Sequence, residues 1–194
     1  MPTTLPSNND PCSPSTPLLL QRAKAGDTAA FQALYKCYAR ALFTFFLGYT
    51  ADARLAEELV NDTFVHVWQA LGRYREEGRF RAWLFRIARN LAADQYRRRK
   101  RRPEEVSLPD ENMPSSQILA QSAIEDIAWQ ESLEEVHTAL QYLRPDYRTV
   151  LLLRFIEGLS VRETAHAMQR SEGAVRVLQL RALKALRQLL DIDK

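Results

Sequence analysis

From Leu18 to Arg102 apolar residues recur at intervals of three and four, with no sustained alternation of the kind a half-buried strand shows, so the pattern predicts helices throughout. A first helix is expected over about 18–25, ended by Gly26, with Asp27 capping the next. The second carries Phe31, Leu34, Tyr35, Tyr38, Leu42, Phe45 and Phe46. The third runs from about Asp52 to Leu71, with Leu55, Leu59, Val60, Phe64, Val67 and Trp68 on its faces. Gly72 and Gly78 bracket a short loop, after which a fourth helix begins near Phe80 and sets Phe80, Leu84, Ile87 and Leu91 on one stripe.

Pro103, Pro109 and Pro114 interrupt the pattern, and helical spacing resumes with Ile124, Ile127, Leu133, Val136, Leu140 and Leu143 until Pro145 breaks it. Asp146 can cap a helix in which Val150, Leu151, Leu153 and Phe155 supply apolar area and which Gly158 ends. Ser160 and Glu163 have the spacing of a capping box for a short helix through Met168. Ser171 then caps a longer helix with Val175, Leu178, Ala182, Leu186 and Leu189 on one face. Short helix, tight turn and basic helix in that order predict a helix-turn-helix. The predicted fold class is all-α, two small helical domains joined by a flexible acidic linker.

Composition sharpens the boundaries. Residues 1–17 hold five prolines among Ser, Thr and Asn, which cannot bury enough apolar area to offset ordering, so a disordered tail is expected there. The expected units are then 18–102, a linker over 103–123, and 124–194. The net charge of +3 hides an uneven distribution: residues 1–102 carry a balance of +8, residues 103–135 one of −9, and residues 136–194 one of +4. Two basic blocks around an acidic segment suggest two domains that each face a polyanion.

The two cysteines, Cys12 and Cys37, have neither metal-ligand spacing nor the count of a disulfide framework, and Cys37 reads as a small core residue. His66, His137 and His166 each stand alone, so no catalytic constellation, metal or cofactor is expected. The N-terminus lacks a basic start followed by an apolar segment, and no apolar run is long enough to span a bilayer; a cytoplasmic protein without membrane insertion is expected.

Three helices carry candidate chemistry. The fourth, FRAWLFRIARNLAADQYRRRKRR, ends in six consecutive bases whose mutual repulsion calls for an anionic partner; Arg97, Arg98, Arg99, Lys100 and Arg101 are candidate phosphate contacts. Beside its apolar stripe stand Arg86, Arg89, Asn90, Asp94 and Trp83, next to the loop 75–79. That mixture of planar polar groups, an aromatic ring and a loop suits a splayed single-stranded base. In the last helix Glu172, Arg176, Gln179, Leu180, Arg181 and Lys184 are expected to point outward, and Arg, Gln and Glu are residues that read base edges in the major groove. Gly173 keeps its first turn slim. The third helix is acidic: Glu57, Glu58 and Asp62, with Asn61, would repel DNA and suit a basic protein surface.

Taken together, AEELVNDTFVHVWQAL, the fourth helix, the acidic linker and LRPDYRTVLLLRFIEGLSVRETAHAMQRSEGAVRVLQLRALKALRQLL resemble the extracytoplasmic-function (ECF) group of bacterial sigma factors, over nearly everything from Leu18 to Leu190. The resemblance implies a non-catalytic specificity subunit of RNA polymerase, its first domain melting and reading the minus-10 promoter element and its second reading the minus-35 element as duplex. It implies contact with the polymerase β′ clamp helices through Glu57, Glu58, Asn61, Asp62, Phe64, Val65 and Trp68, and a further contact with the β flap. The minus-10 set it implies is Tyr74, Arg75, Arg79, Phe80, Trp83, Arg86, Ile87 and Asn90 with the basic block; the minus-35 set is Ser171, Glu172, Gly173, Arg176, Gln179, Leu180, Arg181 and Lys184. An anti-sigma partner is typical of the group. At Val177, Leu178 and Leu180 this chain is apolar where many members carry polar residues. A freestanding dimeric regulator using only the helix-turn-helix would leave the third helix and the base-reading face unexplained.

Overall fold

The computed structural model describes residues 15–75, 78–101 and 136–192. Its first four helices are α1 (Thr16–Lys24), α2 (Thr28–Thr50), α3 (Ala53–Leu71) and α4 (Phe80–Arg101). After the linker come α5, described over 136–142, then α6 (Pro145–Leu151), α7 (Val161–Met168) and α8 (Glu172–Ile192). No strand occurs among the described residues. The fold is all-α, with two helical domains. The linker expected over 103–123, and the expected helix as far as residue 135, lie outside the described residues, as does the tail up to residue 14.

Local chemistry fixes most helix starts where the pattern put them. Asp27 caps α2 by accepting from the Ala30 N–H at 3.1 Å, and Asp52 caps α3 through the Leu55 N–H at 3.0 Å. The Ala30 bond, assisted by Arg22, holds the Asp27 carboxyl below its ordinary range. The Ser160–Glu163 capping box is closed in both directions, at 3.2 and 2.8 Å, and Ser171 Oγ accepts from the Ala174 N–H at 3.2 Å. Two starts differ from expectation. Helix α1 begins at Thr16, because Pro17 sits in the first turn, where its missing N–H costs nothing, and the Thr16 hydroxyl is buried against Tyr38 Oη at 3.0 Å. Asp146 does not cap α6. Arg144 holds that position, Pro145 opens the helix, and Asp146 instead pairs with Arg170 at 2.6 Å.

Cys37 is not a plain core residue: it is disulfide-bonded. The chain's other cysteine, Cys12, lies outside the described residues.

The first domain closes around an aromatic core in which Tyr38, Phe43, Phe45, Phe46 and Phe85 are almost wholly buried. Phe45 meets Phe85 edge-on at 5.6 Å and Phe46 at 5.4 Å. In the second domain α6 runs without a break into a π-helical turn, Leu152–Ile156, closed by the Glu157 N–H to the Leu152 carbonyl at 2.9 Å. The wider turn shifts the phase of the side chains. Leu152 and Leu153 are buried, whereas Phe155, expected in the core, is 55% exposed and Ile156 51%.

The second domain also supplies the C-terminal cap of α2. An α-helix ends in carbonyls without intrahelical partners and with a partial negative charge. Here His137 Nε2 donates to the Leu47 carbonyl at 2.9 Å, Gln141 Nε2 to Gly48 at 3.1 Å, and Arg148 Nη1 to Tyr49 at 2.6 Å. Arg148 is 3% exposed and uses its remaining N–H groups on the carbonyls of Leu140, Gln141 and Leu143, so that a buried cation is met from both domains. Close approach at this junction needs Gly48: a Cβ there would lie 2.5 Å from Leu152 Cδ2.

Candidate nucleic-acid interface

Helix α4 has two unlike ends. Over its first six residues every position is buried, Arg81 included, because α4 packs on α2 and α3 of its own domain and α7 of the second domain also lies against it. Arg81 donates through Nη2 to the Glu157 carbonyl and stands 3.9 Å from the Glu157 carboxylate; both side chains are about 5% exposed. Burial pushes the Glu157 carboxyl up to about 8, outweighing the opposite pull of Arg81. Past Ala92 the helix leaves this packing, and Asp94 and Tyr96 to Lys100 are exposed. Arg97 pairs with Asp94, and Arg99 reaches the Thr50 carbonyl at 3.4 Å. The side chain of Arg101 lies outside the described residues.

Between these ends the expected base-reading face is only partly surface. Asn90 is exposed, and Arg86 and Ile87 are half-buried. The aromatic members are not accessible faces. Trp83 is 7% exposed, Phe80 3% and Tyr74 9%, and the three rings pack in a tilted cluster, Tyr74 against Trp83 at 4.6 Å and Phe80 against Trp83 at 5.7 Å. They brace the loop from inside rather than offering a ring to a base. The loop is pinned by Lys24, whose ammonium donates to the Tyr74 carbonyl. Arg75 is exposed and Arg79 half-buried, the latter on a cleft of about 480 Å³ whose opposite wall is Ser160, Glu163, His166 and Arg170 from the second domain.

On α3 the expected face divides similarly. Phe64 is 3% exposed and belongs to the core, packed on Tyr35 at 4.7 Å and Phe31 at 6.0 Å. Val65 and Trp68 are 54% and 46% exposed. Glu58, Asn61 and Asp62 surround them in solvent, and Glu57 is half-buried. Asn61 is oriented by Tyr35 Oη, which donates to its Oδ1 at 3.1 Å.

Helix α8 carries its buried side on Val175 and Ala182, both fully enclosed. Two expected readers are already engaged. Gln179 is not outward; it is half-buried and accepts from Arg154 Nε at 3.1 Å, while Arg176 is paired with Glu172 at 3.1 Å. Glu172, Leu180, Arg181 and Lys184 are exposed as expected, and Ser171 and Gly173 are exposed beside them. The sequence reading missed Val177 as an outward residue, although its offset of two from buried Val175, about 200° of helical rotation, could have placed it there.

Among the described residues no helix is long and apolar enough to cross a membrane. Residues 34–102 match the family model for sigma-70 region 2, and residues 133–186 that for sigma-70 region 4. Over 181 residues the chain is 34% identical to the ECF RNA polymerase sigma factor BldN of Streptomyces coelicolor, covering 90% of this chain and 66% of that one. It is 32% identical to the RNA polymerase sigma-H factor of Pseudomonas aeruginosa (87% and 90% covered) and 30% identical to the ECF sigma factor SigX of Bacillus subtilis (84% of each). Among solved structures, CnrH in complex with the cytosolic domain of CnrY superposes with a TM-score of 0.69 at 29% identity, covering 91% of this chain and 97% of that one. The sigma factor RpoE in complex with the anti-sigma factor NepR from Bartonella quintana gives 0.59 at 25% identity, with 79% and 92% covered. Both sigma-70 regions are thus present in order on an all-helical chain, and the protein belongs to the extracytoplasmic-function RNA polymerase sigma factors, which serve transcription initiation and are not enzymes.

Proposed function

We propose that this sigma factor docks on core RNA polymerase through the outer face of α3, with the β′ clamp helices receiving it, while its second domain meets the β flap. On this reading residues 18–102 open and read the minus-10 element, 103–123 form the connecting linker, and 124–194 read the minus-35 element as duplex. The observation that carries the docking is the pair Val65 and Trp68, about half exposed and ringed by Glu58, Asn61 and Asp62. A large aromatic held open on a well-packed helix has the composition of an interface anchor, and its acidic rim suits a basic partner. For the minus-10 strand, Arg86 and Asn90 supply planar polar groups and Arg97 to Lys100 the phosphate grip, with Tyr74, Phe80 and Trp83 as the scaffold behind them. The complex of the RpoE neighbour with the anti-sigma factor NepR supports regulation of this chain by an anti-sigma partner, on our reading in the cytoplasm.

The test is to add the purified protein to sigma-free bacterial core polymerase and measure core binding and promoter-dependent transcription. Trp68→Ala should weaken core binding by about 2 kcal/mol, roughly thirtyfold, if the residue is an anchor. Asn90→Ala should reduce promoter opening and leave core binding unchanged. A wild-type protein that does not bind core overturns the proposal.

A further inference from the structure

Down the axis of α8, at about 100° per residue, Gly173, Val177, Leu180 and Lys184 fall on one line opposite the buried Val175 and Ala182. This is the ridge that reaches deepest into a groove when the helix is laid in it. Its middle two residues are aliphatic and open, Val177 at 47% and Leu180 at 68% exposed. Exposed aliphatic residues at the centre of a DNA-facing helix cannot hydrogen-bond a base edge. Two of the polar residues that could do so are held by neighbours, Arg176 by Glu172 and Gln179 by Arg154. Arg181 flanks the ridge and Lys184 ends it, both as exposed cations, which places phosphate-binding charge around the apolar pair. At Gly173 a Cβ would meet nothing within 4 Å, so nothing in the protein fills the space in front of the first turn.

The major-groove edge offers one apolar group, the C5 methyl of thymine. We infer that Val177 and Leu180 are specificity-determining residues of this sigma factor, selecting its upstream duplex element by packing on the methyl groups of two neighbouring thymines. Val177 and Leu180 are three residues apart, about 4.5 Å along the helix, and stacked base pairs rise about 3.4 Å, so the two methyls belong to adjacent or next-adjacent pairs. The inference rests on the reading of α8 as the minus-35 helix and adds the chemistry by which that helix chooses its site.

The experiment uses the full chain bound to core polymerase. A promoter library randomised across the upstream element is selected for binding, and each thymine of the enriched site is then replaced by deoxyuridine, which removes only the methyl. Two such replacements should each weaken binding about fourfold, the ~0.8 kcal/mol of one buried methyl, and 5-bromodeoxyuridine at the same positions should restore it. In Leu180→Ala one of the two positions should become indifferent to the replacement, and in Val177→Ala the other, with core binding unchanged in both. An enriched site that is indifferent to every thymine replacement overturns the inference and leaves the minus-35 reading standing. Absence of any enriched upstream element overturns both. If the two variants lose binding to a protein partner while their uracil sensitivity equals that of the wild type, the ridge is a protein-docking surface and the inference is overturned.

Discussion

Helices α4 and α8 look alike in sequence, each a long amphipathic helix rich in arginine, yet the structure treats them differently. The start of α4 is enclosed by α7 of the second domain, with a buried arginine facing a buried glutamate, whereas α8 keeps its outer ridge in solvent. A basic helical pattern thus announces a polyanion without saying which part of the helix is free to meet it. Accessibility along α4 is set by the junction between domains, and accessibility along α8 by that helix's packing on α6 and α7.

The largest effect should come from breaking that junction. Arg148→Leu strands the carbonyls of Tyr49, Leu140, Gln141 and Leu143, and it should lower stability by about 2–4 kcal/mol, from unmet hydrogen bonds at buried acceptors. Urea denaturation measures the loss. Hydrogen exchange should locate it in residues 80–85 and at the end of α2, with the outer turns of α8 unaffected; equal loss along α8 would break the comparison.

A smaller effect should follow from pH. The folded-state value of Glu157, about 8, lies above the ordinary glutamate value of 4.5, so the folded protein keeps a proton that the unfolded chain has released. The contribution to stability is therefore fully present below about 4.5 and is lost as pH rises toward 8, levelling beyond it. Glu157→Gln, which mimics the protonated form, should flatten the dependence between about pH 4.5 and 8, read as exchange protection at the start of α4. An unchanged slope in the variant would assign the dependence to another group.

The smallest effect is expected on α8. Gly173→Ala meets no atom of the protein, and it should stabilise the helix by about 0.5–1 kcal/mol while weakening binding to upstream promoter duplex. Thermal melting and a duplex titration together check this. Gain in both would mean that DNA does not approach the first turn.

The two helical domains, the Asp27, Ser160 and Ser171 caps and the helix-turn-helix were legible because each rests on spacing or on a side chain bonding within three residues of itself. Position along the chain also sufficed to bring out the basic block at 97–100, while the open residues Val65 and Trp68 were singled out only through the family resemblance. Which aromatics are surface was not legible: Phe64, Phe80 and Trp83 lie on faces whose exposure depends on what packs against them, and a helical period cannot distinguish a core face from a binding face. Nor could it foresee Gln179 turning toward Arg154, or the π turn that brings Phe155 out.

Sequence by itself determined the helices, their caps, the order of the two sigma regions and the sign of their charge, since these follow from interactions among near neighbours. Long-range packing alone decided that the C-terminal end of α2 would be capped by His137, Gln141 and Arg148, that Arg81 and Glu157 would be buried together, and that Phe80 and Trp83 would be enclosed. Those outcomes depend on residues 50 to 100 positions apart or on the packing of several helices at once, and no local pattern records which distant group will arrive.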